Sequence, residues 1–322
     1  MQSLQTDQRP RARHRHRTMR AAGVLPPPRV AVLSAGVAAQ SVLPSTMTVS
    51  GGHGAVPAFS HAIDLNLPGW RGVDQGRPGT CVALAVAACV AHLEHRADRP
   101  VPKFSEQFLY WAIKHESDDH DNFAYHTKLI YAAQALEKMG ICESRLLPYG
   151  LRLVTDPRQT VSGPTPSAAA FAGACDHRHK ARFYLDRASV DQPIPHAAET
   201  LLERLCLGRP VAICFPTFSR PGRHDPNNWD NQGLAAAYGI VADPMTSGYT
   251  EETGSHCVCV VGFDPRPPGG AKHRFIVRNS WGTADWGQHG GEPNAYPAIP
   301  QRGYGSMSVD YVDNYCWEMM QL

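Results

Sequence analysis

Residues Gln75-Gly76-Arg77-Pro78-Gly79-Thr80-Cys81 run directly into Val82-Ala83-Leu84-Ala85-Val86-Ala87-Ala88-Cys89-Val90-Ala91. The first seven carry the glycines and proline of a tight loop. The next ten are apolar on every side and rich in helix formers, which predicts a fully buried helix. The pattern turns polar at His92 to Arg99 and must stop before Pro100. This boundary sets Cys81 in the first helical turn. There the backbone N–H groups and the helix dipole favour thiolate over thiol, and the thiolate is the form that attacks acyl carbons.

Three further residues complete a nucleophilic set in chain order. His256 follows Gly254-Ser255 and starts an apolar run to Phe263, and Asn279 ends the run Phe275-Ile276-Val277-Arg278. An imidazole beside a thiol takes its proton, and an amide oxygen on the far ring nitrogen fixes the tautomer. Gln75, six residues before Cys81, is close enough for one loop to aim an amide donor at the same carbonyl. Each residue has a plainer reading: one more core cysteine, a solvated histidine, a turn-capping Asn, an ordinary loop Gln. The order and spacing favour the chemical one.

These stretches resemble the papain-like cysteine peptidases, in a divergent, C1-type form. The matches are Gln75 to Cys81, His256 to Phe263, and Asn279-Ser280-Trp281-Gly282-Thr283, with smaller ones at Ser105-Glu106-Gln107, Gly140 to Glu143, Pro148-Tyr149 and Gly303 to Gly305. The resemblance implies an α+β fold of two lobes with the active-site cleft between them. A helical lobe over about 75–150 would supply Cys81, and a β lobe over about 180–315 would supply His256 and Asn279. It implies the catalytic set Gln75, Cys81, His256 and Asn279, with Trp281 packed over the His–Asn contact and, with Ser255, near the substrate. The expected activity is thiol-dependent peptide-bond hydrolysis. Acyl transfer through the same thioester, or peptide binding without catalysis, are the alternatives. A monomer acting on a peptide or protein substrate, with no cofactor, is expected.

Departures limit what carries over. Val82 stands where many members have Trp, and Asp121-Asn122-Phe123-Ala124 falls where a Gly-Gly pair lines the substrate groove. Pro78 occupies the position of a disulfide partner in secreted relatives, so that bridge cannot form. Thr283 to Gly287 has one extra residue, Gly291 to Arg302 is a Pro/Gly-rich insertion, and Ser219 to Thr253 is long for a loop, a kind that often lines a site.

The chain of 322 residues has nine cysteines and a net charge of +2 with neutral histidines. The odd cysteine count leaves at least one thiol free. Cys89, Cys206, Cys214, Cys257 and Cys259 read as buried core thiols. His256-Cys257-Val258-Cys259 contains soft ligands, but strand alternation points both cysteines away from His256, so no metal site is expected. The charge gives no field for nucleic acid. No apolar run reaches the roughly 20 residues that span a bilayer. Arginine exceeding lysine, with frequent Ala and Pro, suggests a GC-rich, bacterial genome. The location stays open, cytoplasmic favoured over secreted.

Residues 1–60 differ from the rest: an Arg/His run from Arg11 to Arg20, then Pro26-Pro27-Pro28, and no acidic residue between Asp7 and Asp64. They read as an irregular or disordered tail ahead of a peptidase domain over 61–322. Val30 to Ala39 as a signal-peptide core is the alternative. Within the domain, further helices are expected at about Ser105 to His115, His126 to Met139 and Pro195 to Leu207. Strands are expected at Ala181 to Val190, Val211 to Phe218, His256 to Phe263, Arg274 to Arg278 and Gly305 to Val312, and an irregular stretch at 156–175.

Overall fold

A computed structural model describes residues 61–67, 69–70, 72–95, 99–119, 124–151, 160–189, 192–223, 226–230, 233–265, 273–289 and 301–322. The N-terminal tail, Asp121 to Phe123, and Gly291 to Pro300 lie outside the described residues.

Helices come first. Helix α1 (Cys81–Glu94) is buried from Cys81 to Ala91, which is why its sequence has no polar face. Helix α2 (Glu106–Glu116) begins as expected, with the Ser105 hydroxyl accepting from Phe108 N at 2.9 Å. Helix α3 (Leu129–Met139) ends at Gly140, whose φ of 77° suits a residue without a Cβ. It starts three residues later than expected, because Lys114 Nζ takes the His126 carbonyl at 2.6 Å. Its own flanking residue Lys128 gives no side-chain cap. The carboxylate of Glu318 accepts from Ile130 N at 3.2 Å instead.

The sheet follows. Strands β1 (Ile63–Asp64), β2 (Phe183–Asp186), β3 (Val211–Ser219), β4 (Glu251–Asp264), β5 (Arg274–Arg278), β6 (Tyr304–Ser308) and β7 (Glu318–Gln321) form one antiparallel sheet. Its order is β2-β7-β3-β4-β5-β6, with β1 paired to β4. In β4, Cys257, Cys259 and Val261 join the core around α1, while Val258 and Val260 join a second core on the other face. A register shift between Val260 and Gly262 resets this alternation, so Phe263 also enters the second core. Gly262 has no side chain for a reason: a Cβ there would lie 2.5 Å from the Ile63 carbonyl of β1.

Helix α5 (Ala197–Cys206) and helix α8 (Val309–Tyr315) cover the second face. Helices α4 (Ala168–Cys175), α6 (Leu234–Tyr238) and α7 (Pro244–Ser247) are short. A helical first half and an antiparallel second half give the expected α+β architecture.

Three local expectations are corrected. The stretch 156–175 is not irregular throughout, because Ser167 caps an alanine-rich turn to begin α4. The expected strand Gly305 to Val312 breaks at Ser308, whose hydroxyl accepts from Tyr311 N at 3.1 Å, and Asp310 then favours a helical first turn. Cys206 is exposed, not buried. Helix α5 buries Ala197, Ala198, Leu201, Leu202 and Leu205, and one residue further the helix has turned about 100° outward. The other four thiols read as core are buried. All nine cysteines are unbridged in this structure.

Candidate active site

Cys81 is the first residue of α1, and no acidic side chain in that turn competes with a thiolate for the positive end of the helix dipole. Thr80, just before it, spends its hydroxyl on Tyr149 Oη at 2.7 Å and not on capping the helix. Helix α1 packs against β3 and β4. Burial raises the pKa of the Cys214 thiol, with smaller contributions from Cys257, Glu318 and, least, Cys81. Cys214 in β3 is the register partner of Cys257, the neighbour of His256. Helix α1 and the histidine strand are thus packed neighbours.

His256 Nε2 lies 2.8 Å from Asn279 Oδ1. The same oxygen accepts the backbone N–H of Ser280 at 2.7 Å. A backbone N–H can only donate, so this atom of Asn279 is the acceptor and the His256 proton sits on Nε2. That tautomer leaves Nδ1 as the basic nitrogen. Asn279 is placed by β5, whose last residue is Arg278.

Gln75 is tied to the segment that carries Asn279. Its N–H donates to Ser280 O at 2.8 Å, Gly282 N donates to Val73 O at 3.0 Å, and Asp74 bridges Trp281. Gly282 has φ 68°, and a Cβ on it would meet Asp74 at 3.1 Å. The Gln75 side chain is held at both ends: Oε1 accepts from Ser280 Oγ at 2.5 Å, and Nε2 donates to Pro78 O at 3.0 Å. Tyr149 Oη also donates to Gln75 O at 3.0 Å.

An aromatic cage surrounds the imidazole. Trp281 lies 4.7 Å from it, centroid to centroid, and Trp229 meets it edge-on at 5.3 Å. Trp286 Nε1 donates to Trp229 O, and Phe215 stacks on Trp229 at 4.7 Å. Trp229 lies in the long Ser219 to Thr253 stretch, which therefore does line the site. Its role was not read from the sequence. The only signal was a Trp beside Asn228, whose buried amide accepts from Phe218 N and donates to Ala242 O. Ser255 is buried on β4 opposite Pro216. The four candidate catalytic residues Gln75, Cys81, His256 and Asn279 are 0, 0, 1 and 3 % exposed. Among the described residues no cluster of His, Cys, Asp or Glu is arranged to hold a metal, and no helix is long and apolar enough to cross a membrane.

The model of the papain family cysteine proteases matches residues 71–291, and the chain belongs to that family. It is 28 % identical over 224 residues to an uncharacterized peptidase C1-like protein, L477, of Acanthamoeba polyphaga mimivirus. That match covers 68 % of this chain but only 62 % of the viral protein's length. Among solved structures, xylellain, a cysteine protease from Xylella fastidiosa, aligns with TM-score 0.57 at 22 % identity, over 80 % of this chain and 84 % of that one. A digestive procathepsin L 3 of Tenebrio molitor larval midgut aligns with TM-score 0.51 at 16 % identity, over 81 % and 69 %. At these identities the likeness is one of fold, and it is the papain-like fold.

Proposed function

We propose that the protein is a thiol-dependent peptide-bond hydrolase working through Cys81, His256, Asn279 and Gln75. The observation that carries this reading is the Asn279 oxygen shared by His256 Nε2 and Ser280 N–H, which fixes the base in the tautomer that a thiol partner requires. His256 Nδ1 takes the Cys81 proton, and the thiolate attacks the peptide carbonyl. The imidazolium returns its proton to the amine nitrogen as the C–N bond breaks, leaving an acyl thioester on Cys81. Water, giving a proton to His256, then attacks the thioester. The C–S bond breaks, and acid and thiolate separate.

Gln75 serves the oxyanion. Its amide, held in place by Ser280 Oγ and Pro78 O, is the donor for the developing charge. The cage of Trp229, Trp281 and Phe215 keeps water from the His256–Asn279 bond, which strengthens it.

Labelling with a peptidyl epoxide or vinyl sulfone, followed by mass mapping, tests the assignment. Modification at Cys81 that is lost in His256→Ala is expected. Modification only at the exposed Cys175 or Cys206 would refute it.

A further inference from the structure

A well-formed cavity lies away from Cys81. It lies along α1, on the face carrying Ala87, Ala88 and Ala91, and its volume is about 290 Å³. Neither Cys81 nor His256 lines it. The alanines make the space, since a larger residue at any of them would fill it. Trp70, Val101 and Phe104 complete an apolar wall.

Three charged groups converge on this apolar space. Arg278 sits over the Trp70 ring, its guanidinium carbon 4.2 Å from the centroid. Burial raises the pKa of the partly buried Glu106, and the Arg278 charge works against that rise, favouring the carboxylate. Lys103 stands exposed among the lining residues. A cavity with apolar walls, one carboxylate and two cations fits a molecule that has a greasy body and both charges. The volume, at the low end for small-molecule sites of about 300–1,000 Å³, limits the ligand to a few heavy groups.

We propose that this cavity binds a small zwitterion with an apolar side chain, a free amino acid or dipeptide. The ammonium group pairs with Glu106 and the carboxylate with Arg278 and Lys103. That such molecules come from the protein's own cleavage reaction rests on the peptidase reading; the binding itself does not. The cavity also adjoins the catalytic parts. Tyr149, in its lining, holds Gln75 O and Thr80 Oγ1, and Arg278 immediately precedes Asn279. An occupant therefore touches both supports of the site without entering it.

The test is calorimetric titration of the full-length Cys81→Ser chain, which cannot turn the probe over, with L-phenylalanine, the dipeptide Ala-Phe, and neutral N-acetyl-phenylalaninamide. At least one zwitterion should bind with Kd at or below about 1 mM, and the neutral probe about tenfold or more weaker. Glu106→Gln should weaken the zwitterion about tenfold and leave the neutral probe unchanged. Ala91→Leu, which fills the cavity, should abolish binding. If that variant loses its folded circular-dichroism spectrum, the Glu106→Gln comparison decides alone. No heat from either zwitterion, or an affinity that both variants leave untouched, would overturn the proposal. Peptide hydrolysis by the wild type without cavity binding defeats this inference only; cavity binding without hydrolysis defeats the peptidase reading only.

Discussion

Ser280 Oγ donates to Gln75 Oε1 at 2.5 Å, across 205 residues of chain. The bond joins the loop before α1 to the segment after β5. It makes the orientation of the amide a property of the packed structure and not of the loop alone. With Pro78 O on the other end, the carboxamide cannot flip without losing two hydrogen bonds.

Gln75→Ala should therefore lower kcat by about 10–1000-fold, the scale of losing one oxyanion donor, with little change in KM. Ser280→Ala keeps the donor and loses only its anchor, so its loss of kcat should be smaller, about 2–10-fold. Steady-state kinetics on one peptide substrate separates the two. A loss confined to KM in Gln75→Ala would assign that residue to ground-state binding.

If the proposed Cys81–His256 ion pair forms, alkylation by iodoacetamide should be fast at Cys81 at pH 5–6, where ordinary thiols are protonated. His256→Ala should remove that reactivity while the fold persists by circular dichroism. Mass mapping is essential, since Cys175 and Cys206 are exposed and would react at higher pH. Equal Cys81 rates in the wild type and the variant would contradict the ion pair.

Glu318 gives the pH prediction. It is buried on β7, accepting from Tyr184 Oη at 2.8 Å and from Ile130 N. Burial raises its pKa above the ordinary 4.5, against the hydrogen bonds that lower it. The native state therefore holds this proton more tightly than the unfolded chain. Its contribution to stability is full below about pH 4.5 and falls as pH rises from there through the folded pKa. Glu318→Gln cannot ionise, so chemical denaturation of that variant should show a shallower decline in stability over this range than the wild type. Parallel profiles would show that the carboxyl titrates normally.

Truncation tests the domain boundary. Ile63 and Asp64 pair with Phe263 and Gly262, so β1 must be kept. A chain beginning near Ser60 should be soluble, with Tm and dipeptidyl-substrate hydrolysis close to the full chain. The reason lies in composition: the Arg/His-rich, proline-broken stretch before it has little apolar area to set against an ordering cost of about 1–2 kcal/mol per residue. An insoluble product would make the tail structural, and a large gain in activity would make it inhibitory.

Much was legible along the chain because it is encoded locally. The uniformly apolar run after Cys81 specifies a helix buried on all sides. Ser105 and Gly140 mark where α2 begins and α3 ends, and the alternation of β4 separates Cys257 and Cys259 from His256. The proposed set Gln75, Cys81, His256 and Asn279 is named from the sequence too, because its residue types and spacing have few other uses together; of its contacts, the structure shows His256 bonded to Asn279. What the sequence hid depends on partners far along the chain. The start of α3 depends on Lys114 and Glu318, 188 residues from Ile130 in the case of Glu318. The cage around His256 needs Trp229, brought in by a loop without periodic pattern. The cavity beside Trp70 exists because three alanines of one helix face Arg278 of a distant strand. Periodicity and capping act over a few residues, and a sequence displays them. Which side chains meet across the core is set by how helices and sheet pack, and only the tertiary structure decides that.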